Sequence, residues 1–378
     1  MSTNFQINKG SNQMTLRFMQ IHTFYTLYLH TLYQKNPSLK KASYQKQIQA
    51  LLYDGFSVIH MYTPYMQQYG YETLLVIANN PFSQSQWLRE NNMTIENENN
   101  WMLEIVQKQV ETMKPDILYL SDSIAFDSHF LRKLSWKPRL VFGWRGSNIP
   151  STTDWSDFDF ILSHLSVCRK RALEIGSKSV EHFYPGFSPY LAEQVKDQPK
   201  LWDVVFSGQV SVLHQKRNQY INKVFQASVN KEKKFSTGFF LPPYKPGLLH
   251  PEIDKFNFGA RWGLEMYRAL KAGRIVINAE IDLACGEAGN MRLFETTGVG
   301  AFLLTEYHDN IHQYFEPGVE IETFKNENEM IEKIHYYLKN DAKRESIAMR
   351  GHQRCLKDYS MEKKSFCFQS DYSEVFLF

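Results

Sequence analysis

The chain has 378 residues, of which 43% are hydrophobic and 15% aromatic, so two domains with full cores are expected. The formal net charge is only +3 and the charges are mixed along the chain, which argues against a nucleic-acid binder that depends on clustered lysines and arginines. No run of about 18 apolar residues predicts a membrane span, and the polar first 14 residues do not resemble a secretion signal. The four cysteines are scattered without C-x-x-C spacing, as expected for a reduced, cytosolic protein.

The first half of the chain alternates short apolar runs with amphipathic segments. This alternation predicts an α/β fold with a mostly parallel sheet and helices on both faces. Strands are predicted at 16–21, 72–78, 117–123, 139–142 and 158–163, and helices at 43–52, 84–90, 101–113 and 167–175. Residues 56–62 fit either a further strand or the end of a helical connection.

Three side chains at predicted strand ends are candidates for ligand contact. Asp122 ends the third strand, where open α/β sheets bind their ligands. Trp144 and Arg145 lie in a glycine-flanked loop after the fourth strand, and indole stacks on sugar rings while guanidinium pairs with oxyanions. Packing of Trp144 in the protein interior is the structural alternative.

The composition becomes polar at 189–200, which predicts a domain junction, and the alternation then resumes. Strands are predicted at 204–206, 235–240, 275–278, 301–304 and 318–324, and helices at 263–272, 291–297, 307–316, 328–339 and 342–356. A glycine turn at 207–209 leads into a loop carrying basic residues, and 360–378 has aromatic residues at nearly helical spacing. The absence of a Walker loop and of a G-x-G-x-x-G fingerprint argues against an ATPase or a dehydrogenase.

The segment 285–305 combines a loop, a short helix, a glycine stop and a buried strand. Asn290 is a suitable N-cap, and the free amides of the first helical turn form a site for an anion such as a diphosphate, to which Arg292 adds its donors. Glu287 lies in the loop, and Glu295 follows on the second turn. Two solvated surface carboxylates are the alternative interpretation of this spacing.

A glutamate followed after seven residues by a second glutamate resembles the pattern of retaining glycosyltransferases with the two-domain GT-B fold, especially family 4. Four segments are similar to the CgeB-like branch, a group of bacterial glycosyltransferases that includes spore-surface proteins. They are DVVFSGQVSVLHQKR at 203–217, WGLEMYRALKAGRIVIN at 262–278, NMRLFETTGVGAFLLT at 290–305 and YFEPGVEI at 314–321. The resemblance covers most of the chain from about residue 200 onward. It departs from the common family 4 motif, Glu-Gly-Phe-Gly, at 287–290, where this chain has Glu-Ala-Gly-Asn.

The resemblance implies two Rossmann-like domains whose parallel sheets face each other across a cleft. The N-terminal acceptor domain would span 15–195 after a flexible extension at 1–14. The C-terminal nucleotide-sugar domain would span 196–357, and a helix at 358–378 would cross back to the first domain.

The resemblance also implies a hexosyltransferase-type reaction of polysaccharide biosynthesis, retaining and independent of metal. A nucleotide-diphosphate sugar would be the co-substrate, with no other cofactor, and a glycan, glycolipid or small molecule would be the acceptor. The protein would be cytoplasmic, with at most peripheral contact at the inner face of the membrane.

The family pattern assigns roles to residues of both halves. Glu287 would orient the hydroxyls of the donor sugar, while Arg217 and Arg292 would neutralise the leaving diphosphate. Glu295 would bind the donor ribose. The other donor-side residues would be Gly208, His214, Arg261, Asn278, Gly289, Asn290 and Met291. On the acceptor side, His22 would join Asp122, Trp144 and Arg145, although packing beside neighbouring tyrosines is an equal interpretation of this histidine. In an inverting enzyme, Asp122 or Asp127 would be the base.

Two other classes of function fit the same architecture. A nucleotide-sugar 2-epimerase would convert the donor without an acceptor. A non-catalytic glycan-binding or surface-assembly protein would keep the fold without turnover.

Overall fold

The computed structural model describes residues 15–372 except 231 and 233. The predicted flexible extension at 1–14 and the end of the predicted final helix at 373–378 lie outside the described residues. The described chain forms two parallel sheets, one from each half, with helices packed against them. The prediction of two parallel sheets in an α/β fold is therefore confirmed.

The first sheet has six strands in the order β2-β1-β3-β4-β5-β6, and each neighbouring pair is parallel. Its strands are β1 (Arg17–His22), β2 (Glu72–Ile77), β3 (Ile117–Leu120), β4 (Leu140–Trp144), β5 (Phe160–Ser163) and β6 (Ser179–His182). The central strands β1 and β3 are buried along almost their whole length, which explains their continuously apolar sequences.

The helices that connect and flank this sheet are α1 (Thr26–Lys35), α2 (Tyr44–Asp54), α3 (Thr63–Met66), α4 (Pro81–Glu90), α5 (Trp101–Met113), α6 (Ser128–Leu131), α7 (Ser166–Glu174) and α8 (Pro189–Val195). Local sequence explains several of their ends. The Ser43 side chain accepts a hydrogen bond from the Lys46 amide at the start of α2, and Gly55 ends that helix in the left-handed conformation.

The second sheet has five strands in the order β11-β10-β9-β7-β8, again all parallel. Its strands are β7 (Trp202–Ser207), β8 (Thr237–Phe240), β9 (Gly273–Asn278), β10 (Leu303–Glu306) and β11 (Glu322–Phe324). The remaining helices are α9 (Gln215–Ser228), α10 (Gly263–Ala272), α11 (Met291–Gly298), α12 (Glu327–Lys339), α13 (Asp341–Asp358) and α14 (Met361–Tyr372).

The structure differs from the local predictions at three elements and decides between the two alternatives at 56–62. Residues 56–62 contain a short 3-10 turn, Val58–His60, and no strand. The predicted helix at 307–316 is reduced to a 3-10 turn at Ile311–Gln313. The predicted basic loop after 209 already becomes helical at Gln215. The strand β6 was not predicted, since its half-exposed sequence lacks an apolar run.

The last helix, α14, packs on the first sheet although it follows the second sheet in sequence. The Phe368 ring lies 6.1 Å from that of Phe18 in β1, 5.1 Å from that of Phe142 in β4 and 5.3 Å from that of Tyr62. Met361 belongs to the same buried cluster. The chain therefore returns to its first half after the second is complete.

Within the described residues, no helix combines the length and the apolar sequence needed to cross a membrane.

Candidate active site

A cavity of about 420 Å³ lies where the strands of both sheets end. From the first half it is lined by residues after β1, β3 and β4, and from the second by residues after β7 and β9 and by the start of α11. The carboxyl edges of parallel sheets are the usual ligand sites of α/β proteins. The predicted site residues that line it are His22, Asp122, Trp144, Arg145, Gly208, Arg217, Arg261, Asn278, Asn290, Met291, Arg292 and Glu295.

The first two turns of α11 bring an arginine and a glutamate to the cavity wall. Asn290 caps the helix, as predicted, by accepting a hydrogen bond from the Arg292 amide at 3.1 Å. Arg292 Nη1 donates to Glu295 Oε2 at 2.7 Å, and its Nη2 donates to the Ser207 carbonyl at 3.1 Å. Burial raises the pKa of Glu295, and the neighbouring Arg292 opposes that rise. The pair thus presents an anchored cation and a hydrogen-bond acceptor side by side.

Arg217 lines the same wall from the first turn of α9. Its guanidinium donates to the Ala279 carbonyl at 2.8 and 3.2 Å and to the Gln209 carbonyl at 3.2 Å. Burial lowers the pKa of Arg217 to about 10. Because carbonyls orient the guanidinium without neutralising it, its positive charge remains available to an anion in the cavity.

Two further residues predicted on the donor side, Arg261 and Asn278, line the cavity and are held by different contacts. Arg261 lies with its guanidinium 5.8 Å from the centre of the Phe240 ring, and both line the cavity. Asn278 accepts a hydrogen bond at 3.0 Å from the side-chain amide of Asn290. These contacts link the end of β9 to the cap of α11.

The structure does not bring His214 to the cavity. It occupies the N-cap position of α9, where its Nδ1 lies 2.7 Å from Ser211 Oγ. The sequence alone did not show that the chain turns into α9 at this point and directs the histidine into the loop.

Glu287 and Gly289 are also outside the cavity lining. Glu287 Oε2 accepts the Ser166 amide at 2.7 Å, so the carboxylate caps α7 of the other half. The Gly289 and Asn290 amides donate to Glu280 Oε1 at 3.1 and 3.2 Å. The backbone anion site predicted there is therefore occupied by a carboxylate of the protein itself.

Glu280 is a residue that sequence reasoning missed. It is buried, and burial raises its pKa while the two amides that it accepts oppose the rise. Its position two residues after β9, at the carboxyl end of a strand, was the available signal. Its side chain holds the loop that leads into α11.

The opposite wall carries the predicted acceptor-side residues. His22 Nδ1 lies 2.6 Å from Ser121 Oγ, and burial lowers the pKa of His22 to about 4, so the imidazole is neutral at pH 7. Asp122 accepts the Thr23 hydroxyl at 2.5 Å and the Ala125 amide at 3.2 Å. Asp127, the other predicted base, caps α6 and lies outside the cavity lining.

Trp144, the last residue of β4, and Arg145 continue this wall. The His60 ring centre lies 4.3 Å from that of Trp144, and burial holds the pKa of His60 well below its usual range. His60 itself lines the cavity and was not predicted as a site residue. The neutral ring and the indole form an apolar surface beside the Arg145 cation.

An aromatic cluster joins the two halves at the cavity. The Trp262 ring, at the N-cap of α10, lies 5.1 Å from the Phe56 ring and 5.5 Å from the Tyr25 ring. All three residues line the cavity, and none was predicted as a site residue. Trp262 was visible within the segment used for the family resemblance, whereas the contact with Phe56 depends on the packing of the two halves.

Residues 248–365 match a family model described as glycosyl transferase-like. No curated protein matches the chain. Among solved structures, a glycosyltransferase from Rickettsia africae is similar with a TM-score of 0.58 at 10% identity, covering 96% of this chain and 99% of that chain. HepE from Anabaena, solved in complex with UDP and glucose, has a TM-score of 0.58 at 11% identity, and the match covers 95% of this chain and 100% of that chain.

AviGT4, a glycosyltransferase involved in avilamycin A biosynthesis, is also similar. It has a TM-score of 0.55 at 10% identity, with 84% of this chain and 89% of that chain covered. Identities this low establish the fold alone. The chain therefore has the GT-B fold of two Rossmann-like domains, and its C-terminal part matches a glycosyl transferase-like domain.

Proposed function

We propose that the protein is a glycosyltransferase that moves a sugar from a nucleoside-diphosphate donor to an acceptor. The observation that carries this proposal is the Arg292–Glu295 pair at the cavity end of α11, inside the segment that matches the glycosyl transferase-like model. The pair offers a cation for the diphosphate and a carboxylate for the ribose hydroxyls. HepE, of similar fold, was solved with UDP and glucose, which supports this class of donor.

In the proposed reaction, arginines of the C-terminal half stabilise the leaving group. Negative charge grows on the diphosphate as the bond to the sugar breaks, and fixed donors are most effective against such developing charge. Arg292 and Arg217 are held by protein acceptors, and Arg261 lies at the same wall. Glu287 accepts the Ser166 amide outside the cavity lining, and its role in orienting the donor sugar stays a prediction.

The finer features belong to the same proposal. The glutamate spacing supports a family 4-like, CgeB-like enzyme that retains the anomeric configuration. The lining arginines provide the positive charge that a metal-independent reaction needs. If the product were inverted, Asp122 would be the candidate base, because it lies in the cavity lining. Determination of the anomeric configuration of the product by NMR distinguishes retention from inversion.

The first test is a thermal-shift panel of UDP, GDP, TDP, CDP and ADP, each with and without magnesium. A ligand present well above its Kd stabilises the protein that binds it. One diphosphate is expected to stabilise the wild type and to have much less effect on Glu295→Ala. Glu193→Ala, an exposed glutamate on α8, is the matched control and should respond as the wild type does. No response to any diphosphate, or an equal response of Glu295→Ala, would contradict the proposed donor site.

Incubation with the matching nucleotide sugar then separates the rival functions. Transfer that requires an acceptor supports the transferase. Conversion of the donor alone to its 2-epimer indicates the epimerase, and binding without turnover indicates a non-catalytic protein.

A further inference from the structure

The N-terminal wall of the cavity contains a cation that the donor chemistry described above does not use. Four arginines line the cavity, and three of them belong to the C-terminal half. The fourth, Arg145, follows β4 on the opposite wall, where its amide still pairs with the Leu162 carbonyl of β5 at 3.0 Å. Its backbone is therefore fixed by the sheet.

The guanidinium of Arg145 is oriented by backbone carbonyls. Its Nε donates to the Asn148 carbonyl at 3.0 Å and to the Ser147 carbonyl at 3.3 Å, and its Nη2 also bonds the Asn148 carbonyl. No partner for Nη1 is found among the described residues. The short loop thus curls around one side of the guanidinium and leaves the other side to the cavity.

No carboxylate within the described part of the chain forms an ion pair with Arg145 at 4.0 Å or less. The charge of Asp122 raises the pKa of Arg145, while burial lowers it more strongly. The carboxylate oxygens of Asp122 are already bonded to the Thr23 hydroxyl and the Ala125 amide. A partly buried cation that donates only to neutral carbonyls is stabilised by a bound anion, because hydrogen bonds between charged groups are stronger than those to neutral acceptors.

The surroundings indicate what kind of molecule would bring this anion. His22 and His60 line the same wall as neutral rings, so neither contributes positive charge there at pH 7. Trp144 precedes Arg145 in the chain, lines the same cavity and packs on His60, and an indole suits the apolar face of a sugar ring. A guanidinium binds a phosphate or a carboxylate through two parallel bonds.

From this geometry we infer that the N-terminal wall binds an anionic sugar, with Arg145 holding its phosphate or carboxylate group and Trp144 facing its ring. The inference deepens the proposed function and rests on it, because it names the acceptor class of the same transferase. An anionic sugar carried by the donor would offer the same chemistry, so the test distinguishes the two sources.

The test is calorimetric titration of inorganic phosphate into protein saturated with the diphosphate found in the panel. Phosphate is expected to bind the wild-type complex and to bind the Arg145→Met complex about 10- to 100-fold more weakly, the loss expected for charge-assisted hydrogen bonds. Arg145→Lys keeps the charge and should recover part of the affinity. The matched control is Arg171→Met, which replaces a half-exposed arginine of α7 paired with Glu174 and should bind phosphate as the wild type does.

Glucose 6-phosphate and glucuronate, each compared with glucose, then extend the test to sugars. Preference for the anionic sugar in the wild type and its loss in Arg145→Met support an anionic acceptor. If only UDP-glucuronate, compared with UDP-glucose, shows this dependence on Arg145, the anion belongs to the donor sugar and the acceptor assignment is overturned.

The remaining outcomes also test the inference about Arg145. Equal phosphate affinity in Arg145→Met and the wild type overturns the inference, even when the variant is less stable to heat. Loss of diphosphate binding in Arg145→Met places this arginine in the donor site and overturns it as well. If no diphosphate binds at all, the proposed function fails independently, and phosphate titration of the free protein still compares Arg145→Met with Arg171→Met.

Discussion

Replacing Glu295 by glutamine should separate its role in nucleotide binding from its role in the fold. The carboxylate is only 5% exposed and accepts Arg292 Nη1 at 2.7 Å. An amide oxygen can still accept from this arginine, while the negative charge is lost. Hydrogen bonds to a charged acceptor contribute about 1.5–3 kcal/mol and those to a neutral one about 0.5–1.5 kcal/mol. With two ribose hydroxyls, the variant should lose about 2–3 kcal/mol of binding free energy, or roughly 30- to 150-fold in Kd.

The assay is calorimetry with the ribonucleoside diphosphate and its 2′-deoxy and 3′-deoxy analogues. In the wild type each missing hydroxyl should weaken binding, and in Glu295→Gln the same omissions should weaken it less, because a neutral amide oxygen accepts weaker hydrogen bonds than a carboxylate does. Glu193→Gln serves as the control, and urea unfolding of each variant measures stability separately. Deoxy analogues that bind the wild type as tightly as the ribonucleotide would refute the reasoning.

Three further predictions concern stability, each measured by urea unfolding. Phe368→Ala should lower the free energy of unfolding by about 3 kcal/mol, because its buried ring fills the first sheet's core; Phe366→Ala, exposed by 57%, should cost less than about 1 kcal/mol, and equal losses would contradict the packing of α14. Burial lowers the pKa of His22 to about 4, so the unfolded chain binds its proton more readily at pH 5. The wild type should therefore gain about 2 kcal/mol over His22→Asn as pH rises from 5 to 7, and a constant difference would refute this. Gly263→Ala should lower the free energy of unfolding more than Gly247→Ala does. Both glycines have positive φ, but only at 263 would a Cβ lie 1.8 Å from a carboxylate oxygen, which belongs to Asp54 at the end of α2. Equal losses in the two variants would show that the Asp54 side chain moves aside and that the predicted clash does not occur.

The parts of the fold that sequence predicted are those with strong local signals. Buried strands such as β1 have continuous apolar runs, and α5 was predicted at its observed bounds from helical periodicity before a proline. The Asn290 cap depends on atoms two residues apart, so a local rule was sufficient. The half-exposed β6 has no comparable signal. Tyr314 is buried as part of an irregular segment, and its apolar neighbours had indicated a helix.

The candidate site shows the same division between local and distant contacts. Arg292 and Glu295 are brought together by one turn of helix, so their spacing in the sequence was informative. Glu287 was assigned from the family resemblance, by its separation from Glu295, and its hydrogen-bond partner, the Ser166 amide, lies in the other half of the protein. The occupation of the Gly289 amide by Glu280 requires a loop conformation that residue types alone do not specify.

The return of α14 to the first sheet has a consequence for the synthesis of the protein. The first sheet is complete in the emerging chain at β6, but Phe18, Tyr62 and Phe142 are covered by α14, which is translated after the whole second sheet. At about 5–20 residues per second, the ribosome needs roughly 10–40 s to extend the chain from β6 to the end of α14. During that interval the nascent first half exposes an aromatic surface on which chaperones act and aggregation begins. A premature stop ahead of α14 would therefore damage the half of the protein that is made first.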